Sequence, residues 1–157
     1  MKKILVTGGA GYIGSHTCIE LLNSGYEVVI VDDFTNSLME PVKRLQKLAG
    51  KEVSFHEVNL LDKEALDAVF KKEGKIDAVI HFAALKAVGE SVDQPLMYYK
   101  NNISGSLTLF EVMRDNGVSN IVFSSSATVY GDPEHCPIKE DAAVHATNPY
   151  GHTKAMM

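Results

Sequence analysis

The 157-residue chain has no run of positive charge longer than two residues, Lys71-Lys72 being one, and its net charge is −5, from 15 Lys+Arg against 20 Asp+Glu. A nucleic-acid surface needs clustered basic side chains, so no nucleic-acid partner is expected. No apolar stretch approaches the roughly 20 residues that cross a bilayer, so no membrane span is expected. Two lysines precede Ile4-Leu5-Val6, but that run breaks at Thr7-Gly8-Gly9, too short for the apolar core of a secretory signal. Cysteine is scarce as well. Cys18 and Cys136 stand far apart in a chain long enough to bury a core without staples. The expectation is two reduced thiols in a cytoplasmic protein, with Cys18 a small core residue. His135-Cys136 has no second pair at ligand spacing, and no metal site is expected.

What is present is an alternation of short β-branched runs with longer amphipathic ones. Ile4-Leu5-Val6 leads through a glycine turn into a helical stretch with apolar positions at Ile13, Thr17, Leu21 and Leu22, stopped near Gly25. Val28 to Val31 reads as a strand apolar on both faces, as a helix-covered parallel sheet requires. A helix follows from Pro41 to Leu48, then a weaker strand over Val53 to Val58. Asp62 is placed to cap a helix through Lys72 that carries Ala65, Leu66, Val69 and Phe70 on one face. Ala78-Val79-Ile80 and Ile121-Val122-Phe123 read as two further buried strands. Between them lies one long helical region, roughly Leu96 to Arg114, with Leu107, Leu109, Phe110 and Met113, ended by Asn116-Gly117. Strand and helix alternating five times predict an α/β, doubly wound parallel sheet. Asn148-Pro149 looks like an N-cap with proline at the first helical position. The helix it opens is too short to persist without docking, and it is expected to fray.

Gly8, Gly11 and Gly14 form G-x-x-G-x-x-G where the first strand meets the first helix. Glycine permits the tight turn and lets backbone N–H groups approach a pyrophosphate, while the helix N-terminus contributes partial positive charge. Eighteen residues beyond Gly14, Asp32 ends the second strand. A carboxylate there accepts from ribose hydroxyls and repels a 2′-phosphate, favouring NAD over NADP, and Asp33 adds to the repulsion. Dinucleotide binding is the firmest inference from these residues.

Ser124-Ser125-Ser126 close the fifth strand, and ligands of such sheets sit outside the carboxyl ends of the strands. Tyr150 and Lys154 are four apart, which on a helix puts phenol and ammonium on one face. A phenol ordinarily ionises near pH ~10, and a neighbouring ammonium or an oxidised nicotinamide favours its anion. A phenolate beside a hydride acceptor can take the proton of an alcohol.

The stretches 7–17, 79–91, 123–131 and 148–151 together resemble the extended, sugar-nucleotide branch of the short-chain dehydrogenase/reductase superfamily, and the likeness covers the whole chain. The resemblance implies a Rossmann-type NAD-binding domain over 1–157. It implies interconversion of UDP-galactose and UDP-glucose, in galactose metabolism, through transient oxidation at sugar C4. Tyr150 would deprotonate the 4-OH, Ser126 would hydrogen-bond the reacting oxygen, and Lys154 would hold the nicotinamide ribose. Tyr12 and Ile13 would lie at the pyrophosphate. Asp32, Asp33, Phe34, Thr35, Asn36 and Ser37 would surround the adenosine ribose, with Asn59 and Leu60 near the adenine. Phe82, Ala83, Ala84, Leu85, Lys86 and Asn101 would line the rest of the groove. The full-length protein would be a homodimer built on the helical region that holds Tyr98-Tyr99 and Met113.

Three positions depart from that pattern. Asn59 stands where an aspartate is expected, Ala84 where a glycine is expected, and the chain stops at Met157, before the part that would grip UDP and sugar. The expectation is a cofactor-binding part, truncated before the substrate-binding domain and inactive alone. A 4,6-dehydratase would need an acid pair after Ser126, where Ala127, Thr128 and Val129 stand instead, so elimination is disfavoured. The alternatives are a non-catalytic NAD-binding module and another NAD-dependent sugar-nucleotide-modifying enzyme. Pure binding requires none of Ser126, Tyr150 and Lys154.

Overall fold

A computed structural model describes residues 1–157. The chain divides into two units, one of residues 1–83 with 108–124 and the other of residues 84–107 with 125–157. No helix is long and apolar enough to cross a membrane.

The first unit is a five-stranded parallel sheet. Its strands are β1 (Lys3–Thr7), β2 (Glu27–Asp32), β3 (Ser54–Glu57), β4 (Ala78–His81) and β5 (Ile121–Phe123), in the order β3-β2-β1-β4-β5. Alternation along each strand sends side chains to opposite faces. Ile4, Val6, Val28 and Ile30 meet Cys18 and Leu22 of α1 (Tyr12–Asn23) and Val42 and Leu45 of α2 (Met39–Ala49) on one face. Leu5, Val29, Val31 and Val79 meet Leu66, Val69 and Phe70 of α3 (Lys63–Glu73), with Leu109, Val112 and Met113 of the helix that precedes β5, on the other. Both faces are thus covered, the doubly wound arrangement expected from the alternation. Chain order reverses between β1 and β4, and ligands of such sheets bind at the carboxyl side of that reversal. There Thr7 Oγ1 and His81 Nδ1 lie 2.6 Å apart, both buried, so His81 is a satisfied core histidine.

Local signals act as expected. Asp62 Oδ1 accepts from the Ala65 N–H at 3.0 Å, and Gly50 ends α2 with φ +62°. Three expectations are corrected. Ile13 is 51% exposed and Thr17 and Leu21 are only half-buried, because α1 lays its smaller residues, Gly14, Ser15 and Cys18, with Leu22, against the sheet. β5 is not buried: it is an edge strand, with Val122 61% exposed. It also stops at Phe123, so the three serines lie beyond it.

The second unit holds α4 (Val88–Asp93), α5 (Pro95–Tyr98), a π-helical turn over Tyr99–Ser104, the start of α6 (Gly105–Asp115), a 3₁₀ turn over Ala127–Tyr130 and α7 (Pro149–Ala155). The expected long helix is therefore interrupted. In the π turn each N–H reaches the carbonyl five residues back rather than four, and within α6 Leu107 is exposed while Leu109, two positions on and so about 200° round the helix, is buried. Fraying of the last helix is not seen: Tyr150, Thr153 and Lys154 of α7 are buried.

Candidate functional site

The first unit carries a glycine cradle. Gly8 has φ +68°, and a Cβ on it would stand 2.7 Å from the Ala83 backbone nitrogen. A Cβ on Gly14 would stand 2.2 Å from the Gly8 carbonyl oxygen, so only glycine lets the first turn of α1 sit on the loop. Gly11, the N-cap of α1, brings no side-chain cap, and the first turn holds no acidic residue. No side-chain cap and no acid of α1's own first turn compensates the partial positive charge of the helix end, which an anion site needs. Tyr12 and Ile13 flank it, both exposed.

Asp32 organises the strand end. Its Oδ2 accepts from the Ala10 N–H at 3.0 Å, and Oδ1 accepts from the Phe34 N–H at 3.1 Å and the Ser37 hydroxyl at 2.6 Å. A carboxylate offers about four acceptor positions, so one on Oδ2 is left for a further hydroxyl. Phe34 adopts φ +57°, uncommon for a non-glycine residue, and its ring stacks on Phe55 at 5.1 Å. Asp33 Oδ1 accepts from the Thr35 N–H at 2.9 Å, and Asn36 is exposed beside it. Asn59 Nδ2 donates to Asp33 Oδ2 at 2.7 Å, while Leu60 packs against the α3 side of the core. Phe82 packs against the α1 side, and Ala83 closes the unit. The cradle that a Cβ would fill, the bare helix end and the ribose-type carboxylate form one donor and acceptor set, and it fits a dinucleotide.

In the second unit, Leu85, Tyr98 and Tyr150 form a buried cluster. The Tyr98 hydroxyl donates to Glu90 Oε2 at 2.6 Å and accepts from the Ala87 N–H at 3.0 Å. Burial, with the Glu90 hydrogen bond second, pushes that phenol up to about 12. Ser126 caps the 3₁₀ turn: its Oγ accepts from the Thr128 N–H at 3.2 Å and the Thr128 hydroxyl at 2.9 Å. Both lone pairs are then engaged, and what Ser126 has left to offer is its proton. A Cβ on Gly151 would stand 2.8 Å from the Thr128 carbonyl oxygen, so α7 lies close against the Ser126 turn. Leu85 and Tyr150 pack together, and half-buried Ser126 opens the turn that Gly151 of α7 approaches. Lys154 is buried on α7 as well, and burial pushes its ammonium down to about 8. Ala84 and Asn101 are half-buried and Lys86 is exposed.

Sequence reasoning missed Asn102. Its buried amide uses Oδ1 to accept from the Leu85 N–H at 2.9 Å and from Asn101 Nδ2 at 3.0 Å, and Nδ2 to donate to the Leu85 carbonyl at 2.9 Å and Thr153 Oγ1 at 3.1 Å. All four positions are filled, which ties the loop at Leu85 to α7. The only hint in the sequence is a pair of asparagines within an otherwise amphipathic helix.

The chain is 62% identical over 154 residues to UDP-glucose 4-epimerase of Bacillus subtilis (strain 168), an alignment covering 98% of this chain and 45% of that protein. It is similar in structure to UDP-glucose 4-epimerase from Bifidobacterium longum in complex with NAD+ and UDP, with TM-score 0.96 and 48% identity. It is likewise similar to the enzyme from Stenotrophomonas maltophila with bound NAD and formylated UDP-arabinopyranose, with TM-score 0.95 and 50% identity. Each covers 99% of this chain and 46% of the other, so this chain spans just under half the length of the relatives it matches. The model of the family described as GDP-mannose 4,6 dehydratase matches residues 5–157, and the chain, glycine cradle and Tyr150 helix included, belongs to that family.

Proposed function

We propose that residues 1–157 are the NAD-binding part of an enzyme that interconverts UDP-galactose and UDP-glucose at sugar C4. Gly8, Gly11, Gly14 and the first turn of α1 would hold the pyrophosphate, and Asp32 a ribose hydroxyl. NAD, when bound, accepts a hydride from the sugar and returns it. Tyr150 takes the proton of the 4-OH and gives it back. Ser126, whose acceptor positions are filled by Thr128, donates its proton to the reacting oxygen. Lys154 binds ribose hydroxyls and stabilises the tyrosine anion.

The observation that carries this reading is a reactive-type pair, Tyr150 and Lys154, buried on a capped helix against the Ser126 turn. A binding module needs no such arrangement. The absence of a carboxylate at Ala127, Thr128 and Val129 argues against dehydration, although the family model carries a dehydratase description. In a longer protein with this part, exposed Val92, Leu96 and Leu107 fit a homodimer contact.

The test is UDP-galactose to UDP-glucose conversion by the purified chain with NAD, with bound NAD quantified in the same sample. NAD binding without conversion is expected, because the relatives are about twice as long. Failure to bind NAD overturns the reading. Conversion above a Tyr150→Phe control overturns the expectation that the remaining length is required.

A further inference from the structure

Helix α7 begins with a donor problem. The first N–H groups of any helix lack partners within it. Pro149, at the first position, has no N–H. The Gly151 N–H is taken by Asn148 Oδ1 at 2.8 Å, and the His152 N–H by the Asn148 carbonyl at 3.0 Å. That leaves the N–H of Tyr150 itself. It donates to Ser91 Oγ at 3.2 Å, from 59 residues away. Ser91 lies within α4, fully buried, and its own proton goes to the Val88 carbonyl at 2.6 Å. The serine hydroxyl is therefore oriented by its own helix, with a lone pair turned to the tyrosine amide.

The neighbouring residue acts on the same target by a second route. Glu90 fixes the Tyr98 hydroxyl, and the Tyr98 ring packs in the cluster that holds the Tyr150 ring. Two successive residues of α4 thus constrain Tyr150, one through its backbone and one through its ring environment.

We propose that Ser91 is a positioning residue for Tyr150, fixing the turn of α7 that aims the phenol. The proposal rests on the reading of Tyr150 as the proton-transfer group. An amide bound to Ser91 cannot rotate about the helix axis without losing its acceptor, and an unsatisfied buried donor is costly. The side chain leaves the backbone at the same residue, so the phenol direction follows.

The experiment compares the isotope-labelled 157-residue chain with its Ser91→Ala variant, with and without NAD. It reads amide hydrogen exchange along α7 and the ¹³C shift of the Tyr150 ring. Alanine fills nearly the same volume, and unchanged protection of the β1 amides reports that the variant is folded. The expected result is about tenfold faster exchange at the Tyr150 amide, the size set by loss of one hydrogen bond. His152, bonded to the Asn148 carbonyl, and the β1 amides should be unchanged. The NAD-induced shift of the Tyr150 ring should fall several-fold. Unchanged exchange at Tyr150, or an NAD-induced shift equal to that of the unsubstituted chain, overturns the proposal, as does a uniform rise across α7 and β1. If the unsubstituted chain binds NAD and its Tyr150 ring does not respond, the underlying reading fails instead, and the role for Ser91 falls with it.

Discussion

The side-chain amide of Asn59 donates to the Asp33 carboxylate at 2.7 Å, and its own oxygen accepts from the Leu61 N–H at 2.8 Å. An aspartate at 59 would face Asp33 with a second negative charge. Asp33 in turn holds the Thr35 N–H, so the pair supports the turn around the proposed ribose site. Asn59→Asp is expected to weaken NAD binding a few-fold at low salt and to recover at ~1 M salt, because exposed charges are screened. Titration calorimetry at two ionic strengths checks this, and an affinity loss insensitive to salt would refute the charge argument.

Two glycines separate space from conformation. A Cβ at Gly14 meets the Gly8 carbonyl oxygen at 2.2 Å, whereas one at Gly89 meets nothing within 4 Å. Gly14→Ala should cost on the order of 3 kcal/mol, as a backbone clash in a packed turn does, and should abolish NAD binding. Gly89→Ala, within α4, should stabilise by about 0.5 kcal/mol. Urea titration of both variants gives the comparison, and equal effects would remove the cradle argument.

Burial of Lys154 holds its folded-state pKa near 8 against an ordinary 10.5. Below 8 both states are protonated and the folded state bears the cost of the buried charge. Between 8 and 10.5 the folded chain releases its proton first, the unfolded chain binds more protons, and stability rises with pH. Cys18 and Tyr98, whose pKa values burial raises, contribute slopes of the opposite sign in the upper part of that window, so the test is the difference: the slope of unfolding free energy against pH should be more positive in the unsubstituted chain than in Lys154→Met. A slope untouched by the substitution, or one made more positive by it, would show that Lys154 is not desolvated.

Thiol reactivity should distinguish the two cysteines. Cys18 is buried, and burial pushes its thiol up to about 12, while Cys136 is exposed. Only the thiolate reacts. A thiol reagent at neutral pH should label one cysteine in the native chain, Cys136, and both in denaturant. Rapid native labelling of Cys18 would contradict the packing of α1 on the sheet.

Much of this molecule is written in neighbouring residues. The glycine spacing at 8, 11 and 14, the acid that ends the second apolar run, the caps at Asp62 and Asn148 and the alternation of the five strands with helices are read from residues a few positions apart or from one element's period. Tyr150 and Lys154 were legible for the same reason, since four residues on a helix is a fixed geometry.

Tertiary structure decided what depends on distant partners. An apolar triplet reads alike in a central strand and at a sheet edge, so the exposure of Val122 was not legible from Ile121-Val122-Phe123. Ser91 is an ordinary helix serine until α7 arrives 59 residues later, and Asn102 needs both Leu85 and Thr153 to fill its amide. Sequence set which groups could donate, accept or turn. Which of them found partners was fixed only when folding removed water and left each buried polar group to be satisfied by whatever the packed chain placed beside it.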